Sequence, residues 1–208
     1  MELLITLGRT LGFSFAAGIN LYATVAMLGL ASRFDWVSLP PQFEVFDNGW
    51  IIGTALALYA VEFVADKVPW FDTIWDTVHT FIRPLGGALV AVGTLGEASP
   101  TTEVMVALLG GTVAASTHLT KAGTRAMANT SPEPFSNSIL SFGEDVFVLG
   151  LGAMALAYPL IAFGVALVLL TLIGIFFFVL VRAVRRRFAR RTPPDPPRDL
   201  QPGLNYPR

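Results

Sequence analysis

The stretch PLIAFGVALVLLTLIGIFFFVLV, Pro159 to Val181, runs for twenty-three residues without a charge. A helix that crosses hydrocarbon needs about 20 apolar residues. The segment therefore reads as a membrane span and sets the class of the whole chain. Composition agrees outward from it: of 208 residues, 53% are hydrophobic and 14% charged, with a mean hydropathy of +0.61. Soluble domains average roughly a quarter charged. The length fits one domain. There is no cysteine, so neither a disulfide framework nor thiolate chemistry is available. Met1-Glu2-Leu3-Leu4 lacks the positive start of a secretory signal, so the first apolar run reads as a retained span.

Six apolar segments follow from the pattern: about 3–31, 49–67, 84–96, 103–129, 141–158 and 159–181. The third is short and rich in glycine (Gly86, Gly87, Gly93, Gly96), which suits a tilted, broken or re-entrant segment. Six spans leave both termini on one side. Arg182, Arg185, Arg186, Arg187, Arg190 and Arg191 crowd the end of the last span, which places that side in the cytoplasm. The inner loops then carry Lys67, Arg83, Lys121 and Arg125. The outer ones carry Asp35, Glu44, Asp47, Glu97 and Glu103, with Arg33 as the basic exception. The expectation is a multi-pass protein of the cell inner membrane, with residues 1–181 as the transmembrane domain. Residues 182–208 form a basic, then proline-rich, disordered cytoplasmic tail. Trp36 and Trp50 bracket the outer loop 33–48, as interfacial residues do. The arginines suit anionic lipid better than nucleic acid.

Ala16-Ala17-Gly18-Ile19-Asn20-Leu21 aligns with Ala114-Ala115-Ser116-Thr117-His118-Leu119. With three spans per half, candidate repeats 1–98 and 100–181 would be inverted, the plan of many secondary transporters built on interrupted helices. The fold class expected is thus all-α: about six spans in two inverted three-helix halves, with broken or amphipathic helices.

Against this apolar body stand ionisable residues in expensive places. Glu62 and Asp66 are four residues apart on one helical face. Pro69 ends that helix. Asp72, Asp76, His79 and Arg83 then follow at spacings of four, three and four, with Phe71, Ile74, Trp75, Val78 and Ile82 opposite, and Pro84 closes the stripe. Two readings stand here: a solvated cytoplasmic helix, or a stripe facing a polar cavity with Glu62 and Asp66. His118, Lys121 and Arg125 form a basic stripe, extended by Asn129. It either snorkels to headgroups or pairs with the acidic stripe. Asn20 and Tyr22 lie mid-span beside Gly18, where a helix break or close approach is allowed. Asn129 to Ser138 reads as a structured loop, and Ser141 with Glu144 as a capping box, Asp145 suiting a helix start.

No nucleotide loop, catalytic serine–histidine order, zinc motif or dinucleotide fingerprint is present. No cofactor, metal or nucleic acid is expected, and nothing points to one enzymatic reaction. The leading expectation is a small secondary transporter or carrier for an unknown solute or ion. Its site residues would be Asn20, Tyr22, Glu62, Asp66, Lys67, Asp72, Asp76, His79, Arg83, His118, Lys121 and Arg125. Glu62 and Asp66 would carry protons or a cation, and Lys121 and Arg125 would attract an anionic group. A membrane-embedded lipid-handling enzyme, or a scaffold with a structural polar core, remains as an alternative; a homo-oligomer stays open.

Five pieces then stand together: Gly18-Ile19-Asn20-Leu21-Tyr22; Tyr59 and Glu62-Phe63 with Asp66-Lys67, Pro69-Trp70 and Asp72; Trp75-Asp76, His79 and Arg83-Pro84; His118 with Lys121-Ala122 and Arg125; and Ser131-Pro132-Glu133-Pro134 with Ser136-Asn137. As a combination covering about residues 8–175, the chain resembles the bacterial membrane family called domain of unknown function 4126. The resemblance implies a polytopic inner-membrane protein and supplies no activity.

Overall fold

The computed structural model describes residues 1–128 and 134–189. Among them every regular element is helical: α1 Glu2–Ile19, α2 Leu21–Arg33, α3 Gly49–Ala65, α4 Pro69–Leu95, α5 Pro100–Ala128, α6 Pro134–Ala157 and α7 Pro159–Ala189, with one 3-10 turn at Pro41–Phe46. The chain divides into two compact units, one of residues 1–173 and one from Gly174 onward. Among the described residues, four helical stretches are long and apolar enough to cross a membrane: Glu2–Ile19, Trp70–Leu95, Ser138–Ala157 and Pro159–Arg187. Gly49–Ala65 is apolar but shorter.

Several boundaries differ from those expected. The first apolar run is two helices, because Asn20 is extended (φ −145°, ψ 98°) and breaks it. The Asn20 side chain accepts the Ala23 N–H at 2.9 Å, which makes it the N-cap of α2, a role asparagine fills well. Pro84 does not end a helix. It lies inside α4, so the stretches 70–83 and 84–96 are one helix of 27 residues. Proline removes one helical hydrogen bond and crowds the preceding turn, a defect that packing tolerates in membrane helices.

Here the packing is a seam of small residues against α5. A Cβ on Gly87 would stand 2.3 Å from Ala114 Cβ, and one on Gly110 would stand 2.3 Å from Ala91 Cβ. Such contacts let two backbones approach closely.

α6 begins at Pro134, a favoured first helical position, so Ser141 lies inside the helix and the capping-box assignment of Ser141 and Glu144 is wrong. Residues 134–138 are helical rather than loop, while 129–133, including Asn129, lie outside the described residues. α7 continues past Val181, so Arg182, Arg185, Arg186 and Arg187 are helical. The proline-rich stretch from Thr192 lies outside the described residues.

The outer loop is more than a surface connection. Phe43 and Phe46 of the 3-10 turn are buried, and Phe43 meets Phe13 of α1 edge-on, with centroids 6.2 Å apart. Arg33 closes the loop on Asp47 at 2.7 Å. Trp36 and Trp50 are exposed. Apolar side chains also cover much of the outside. On α4, Ile74, Val78, Phe81, Leu85 and Leu89 are exposed, while Asp72, Asp76, His79 and Arg83 are buried. The helix is amphipathic with its polar stripe turned inward, the arrangement a charged residue needs at membrane depth.

Candidate functional site

The inward stripes meet. The last turn of α3 supplies Glu62 and, at its cap, Asp66. α4 supplies Asp72, Asp76, His79 and Arg83, a ladder about 16 Å long at the helical rise of 1.5 Å per residue. α5 supplies His118, Lys121 and Arg125 from its second half, and Asn20 enters from the α1–α2 break. All of these are buried; Tyr22 is half-buried.

Three cations organise the core. Arg83 Nη2 donates to Glu62 Oε1 at 2.7 Å, both side chains being wholly buried, and Nη1 lies 3.5 Å from Asp76 Oδ1. Lys121 Nζ stands 3.1 Å from Asp66 Oδ2, 3.5 Å from Glu62 Oε1 and 3.4 Å from Glu144 Oε2. Arg125 spreads furthest. Its Nη2 donates to Asp66 Oδ2 at 3.0 Å and to Glu144 Oε2, and its Nε to Glu144 Oε1 at 3.1 Å. Its Nη1 donates to the Asp66 carbonyl at 2.8 Å and to Asp72 Oδ1 at 3.4 Å. The planar guanidinium fork suits this gathering of carboxylates.

Hydrogen bonds fix both histidines. Arg83 Nη1 lies 2.7 Å from His118 Nδ1. A guanidinium only donates, so Nδ1 accepts and the ring proton sits on Nε2. From there it reaches the Asp76 carbonyl at 3.1 Å. The His118 ring is therefore neutral in this arrangement. His79 is held the other way round: its Nδ1 faces the Trp75 carbonyl at 2.8 Å and must donate, and its Nε2 meets Tyr22 Oη at 3.0 Å. His79 also stacks on Trp75 with centroids 4.5 Å apart.

The helix break is part of the same core. Lys121 Nζ donates to the Ile19 carbonyl at 3.1 Å, and Arg83 Nη1 to that of Gly18 at 3.4 Å. Two cations thus meet the carbonyl end of α1, where the helix dipole favours positive charge. Asn20 Nδ2 donates to Asp145 Oδ1 at 3.1 Å, tying the break to α6. Close approach depends on Gly18: a Cβ there would lie 1.7 Å from Thr117 Oγ1. The two segments aligned as a repeat therefore cross each other, although α5 runs unbroken through His118.

Eleven of the twelve expected site residues stand together in this core. Lys67 stands at its rim, where Nζ donates to the Phe63 carbonyl at 2.9 Å and lies 3.0 Å from the Phe63 ring centroid. Two bland readings fall: the α4 stripe is not a solvated face, and Arg125 is not a snorkelling anchor, since both are buried. Lys121 and Arg125 hold carboxylates of the chain itself, so their charge is already engaged. Glu144 and Asp145 belong to the core but are absent from the expected set; the signal for them is a pair of acids inside the apolar run 141–158.

The carboxylates Glu62, Asp66, Asp72, Asp76, Glu144 and Asp145 outnumber the cations Arg83, Lys121 and Arg125, even with Lys67 counted. Among the described residues, Glu62 Oε2, Asp76 Oδ1 and Asp145 Oδ2 are buried without a hydrogen-bond partner. A cavity of about 210 Å³, lined in part by Asp76, opens between α4 and α5. No group of three His, Asp or Glu among the described residues is placed to hold a metal ion.

No curated protein and no solved structure matches the chain. The family model described as a domain of unknown function (DUF4126) matches residues 7–180, a range that takes in α2 to α6 and every member of the charged core. The chain is a helical, membrane-type protein belonging to the family called domain of unknown function 4126.

Proposed function

We propose that the protein is a small secondary transporter or carrier whose coupling site is the charged core. The observation that carries this is a surplus of buried carboxylates built around a broken helix. An ionised carboxylate buried without a partner costs several kcal/mol. At neutral pH the surplus is therefore neutralised by protons or by a bound cation, and a helix break is where transporters place such sites. Glu62 and Asp66 exchange that positive charge in this reading, through their pairs with Arg83, Lys121 and Arg125. Counting α1 with α2 as one crossing and adding α3 and α5 to the apolar spans gives six. The two halves are then inverted, both termini lie in the cytoplasm, and the membrane is the inner one. The arginines ending α7 hold anionic lipid.

Proteoliposomes with a trapped pH dye test the proposal. Panels of inorganic cations and small organic acids are added under an imposed pH gradient. The expected outcome is solute-dependent proton movement that Glu62→Gln and Asp66→Asn abolish. Proton movement at the wild-type level in both variants would sink the coupling role. One feature favours a second reading, a scaffold with a structural core. Arg83–Glu62 and Arg125–Asp66 are fully buried pairs at 2.7 and 3.0 Å that satisfy much of each other's charge. On that reading the same variants lose stability, and no solute moves protons even in the wild type.

A further inference from the structure

The cavity between α4 and α5 is lined by Asp72, Asp76, Thr73, Thr77, Thr80 and Arg125, with Ala122 and Ala126 completing the wall. What it offers a guest follows from where its protons go. Thr77 Oγ1 donates to the Thr73 carbonyl at 2.7 Å, and Thr80 Oγ1 to the Asp76 carbonyl at 3.0 Å. Each hydroxyl has one proton and two lone pairs; the protonated His118 Nε2 lies 3.1 Å from Thr80 Oγ1, so Thr77 can still accept through two lone pairs and Thr80 through one. The Arg125 donors are turned to Asp66, Asp72 and Glu144. An independent observation concerns Asp76. It is 5% exposed, and its Oδ1 takes no hydrogen bond from any described residue, with Arg83 Nη1 at 3.5 Å. The lining is thus rich in oxygen acceptors and includes a buried carboxylate short of donors.

We infer that this cavity binds a small monovalent cation through oxygen ligands from Asp72, Asp76, Thr77 and Thr80. Carboxylate and hydroxyl oxygens suit hard cations, and the cation in the wall, Arg125, is engaged with Asp66, Asp72 and Glu144. Calcium gathers about six to eight oxygens, commonly from several carboxylates, and no group of three acidic or histidine side chains is placed to hold it among the described residues. The mouth carries exposed Thr73 and Thr77, so an ion enters without unpacking the core. This deepens the carrier proposal by naming a coupling ion, and rests on it only for the ion's use; binding itself needs no transport.

The test is equilibrium binding to the purified full chain in detergent. NaCl, KCl and NH4Cl are each exchanged against choline chloride at constant ionic strength while the unfolding midpoint is followed. The expected result is a saturable rise in midpoint with one or more of the small cations and none with choline. Asp76→Asn removes the response. Thr77→Val, at the exposed mouth and therefore tolerated by the fold, weakens the apparent affinity about tenfold, as expected for one lost ligand to a charge. Identical midpoints in all four salts would overturn the inference, as would a wild-type response in Thr77→Val. Binding without solute-dependent proton movement would remove the carrier reading and leave the site. Proton movement with no cation response would remove the site and leave the carrier.

Discussion

Helices α4 and α7 both exceed the length a bilayer requires, at 27 and 31 residues, but they are specified in different ways. α7 is apolar on every side until Arg182, and Leu167, Val168 and Leu172 are exposed along it. Among its described residues only Ala162 and Ala166, small and near its start, are buried, and lipid can satisfy the rest of such a helix. α4 has a single tolerable orientation, because Asp72, Asp76, His79 and Arg83 must face partners that α1, α3 and α5 provide. Apolarity makes α7 able to cross. Charge pairing decides how α4 sits. Substitutions should therefore cost far more on the faces that meet the α4 core than on α7.

The largest effect is expected from Arg125→Ala. It takes the shared guanidinium from Asp66, Asp72 and Glu144, leaving Lys121 as the cation beside Asp66 and Glu144, and removing one partner from a buried ion pair typically costs about 3–5 kcal/mol. The variant should give little monodisperse protein in detergent, or a sharply lowered unfolding midpoint. Arg125→Lys should recover only part of this, since a point charge cannot reproduce the fork. A midpoint within a few degrees of wild type for Arg125→Ala would mean that the core is wetter than its burial indicates.

Next comes Gly18→Ala, which tests the crossing of α1 and α5 instead of the charges. The added methyl would lie 1.7 Å from Thr117 Oγ1 and 2.5 Å from the Ala114 carbonyl oxygen. The hydroxyl can rotate away, but the backbone oxygen cannot, so the helices must separate. Overpacking of this kind costs about 1–3 kcal/mol. Because Lys121 and Arg83 reach the α1 carbonyls across the same crossing, the variant should also weaken any proton movement in proteoliposomes.

How much of this was legible follows the same contrast. The stripes on α4 and α5 were readable because helical periodicity alone places residues at spacings of three and four on one face. That the stripes meet was not readable, since it depends on which helices cross. Glu144 and Asp145 were hidden for a local reason. Ser-x-x-Glu imitates a helix start, and the helix begins seven residues earlier at Pro134. Pro84 misled in the opposite direction: its local preference to break a helix is overridden by the glycine seam against α5. The break at Asn20 left only a faint trace, a glycine followed two residues later by a good N-cap inside a long apolar run. α7, which packs least, was the easiest to read, and only its continuation to Ala189 went unforeseen.

Asn20→Ala should fall below Gly18→Ala in cost and above a change on the exposed face of α7. It removes the cap on α2, worth about 1 kcal/mol, and takes from Asp145 the donor at 3.1 Å. Asn20→Asp separates the two functions. An aspartate still accepts the Ala23 N–H but faces Asp145 with a like charge. If the cap dominates, Asn20→Asp unfolds near the wild-type midpoint and Asn20→Ala below it. If the link to α6 dominates, Asn20→Asp is the worse of the two, and its deficit shrinks as the pH is lowered and one of the paired acids takes a proton.

The smallest effect is expected from Gly164→Ala on α7. No atom lies within 4 Å of the Cβ position there, so nothing is displaced. In water an interior helical glycine costs roughly 0.5–1 kcal/mol relative to alanine, mostly through the freedom of the unfolded chain. A span that stays helical inside the bilayer lacks much of that freedom, because its backbone must remain hydrogen-bonded there. The shift should therefore be within about 0.5 kcal/mol. A destabilisation as large as that of Gly18→Ala would show that α7 has a tightly packed partner at Gly164, and that its apolar face is specified by contact as well as by lipid.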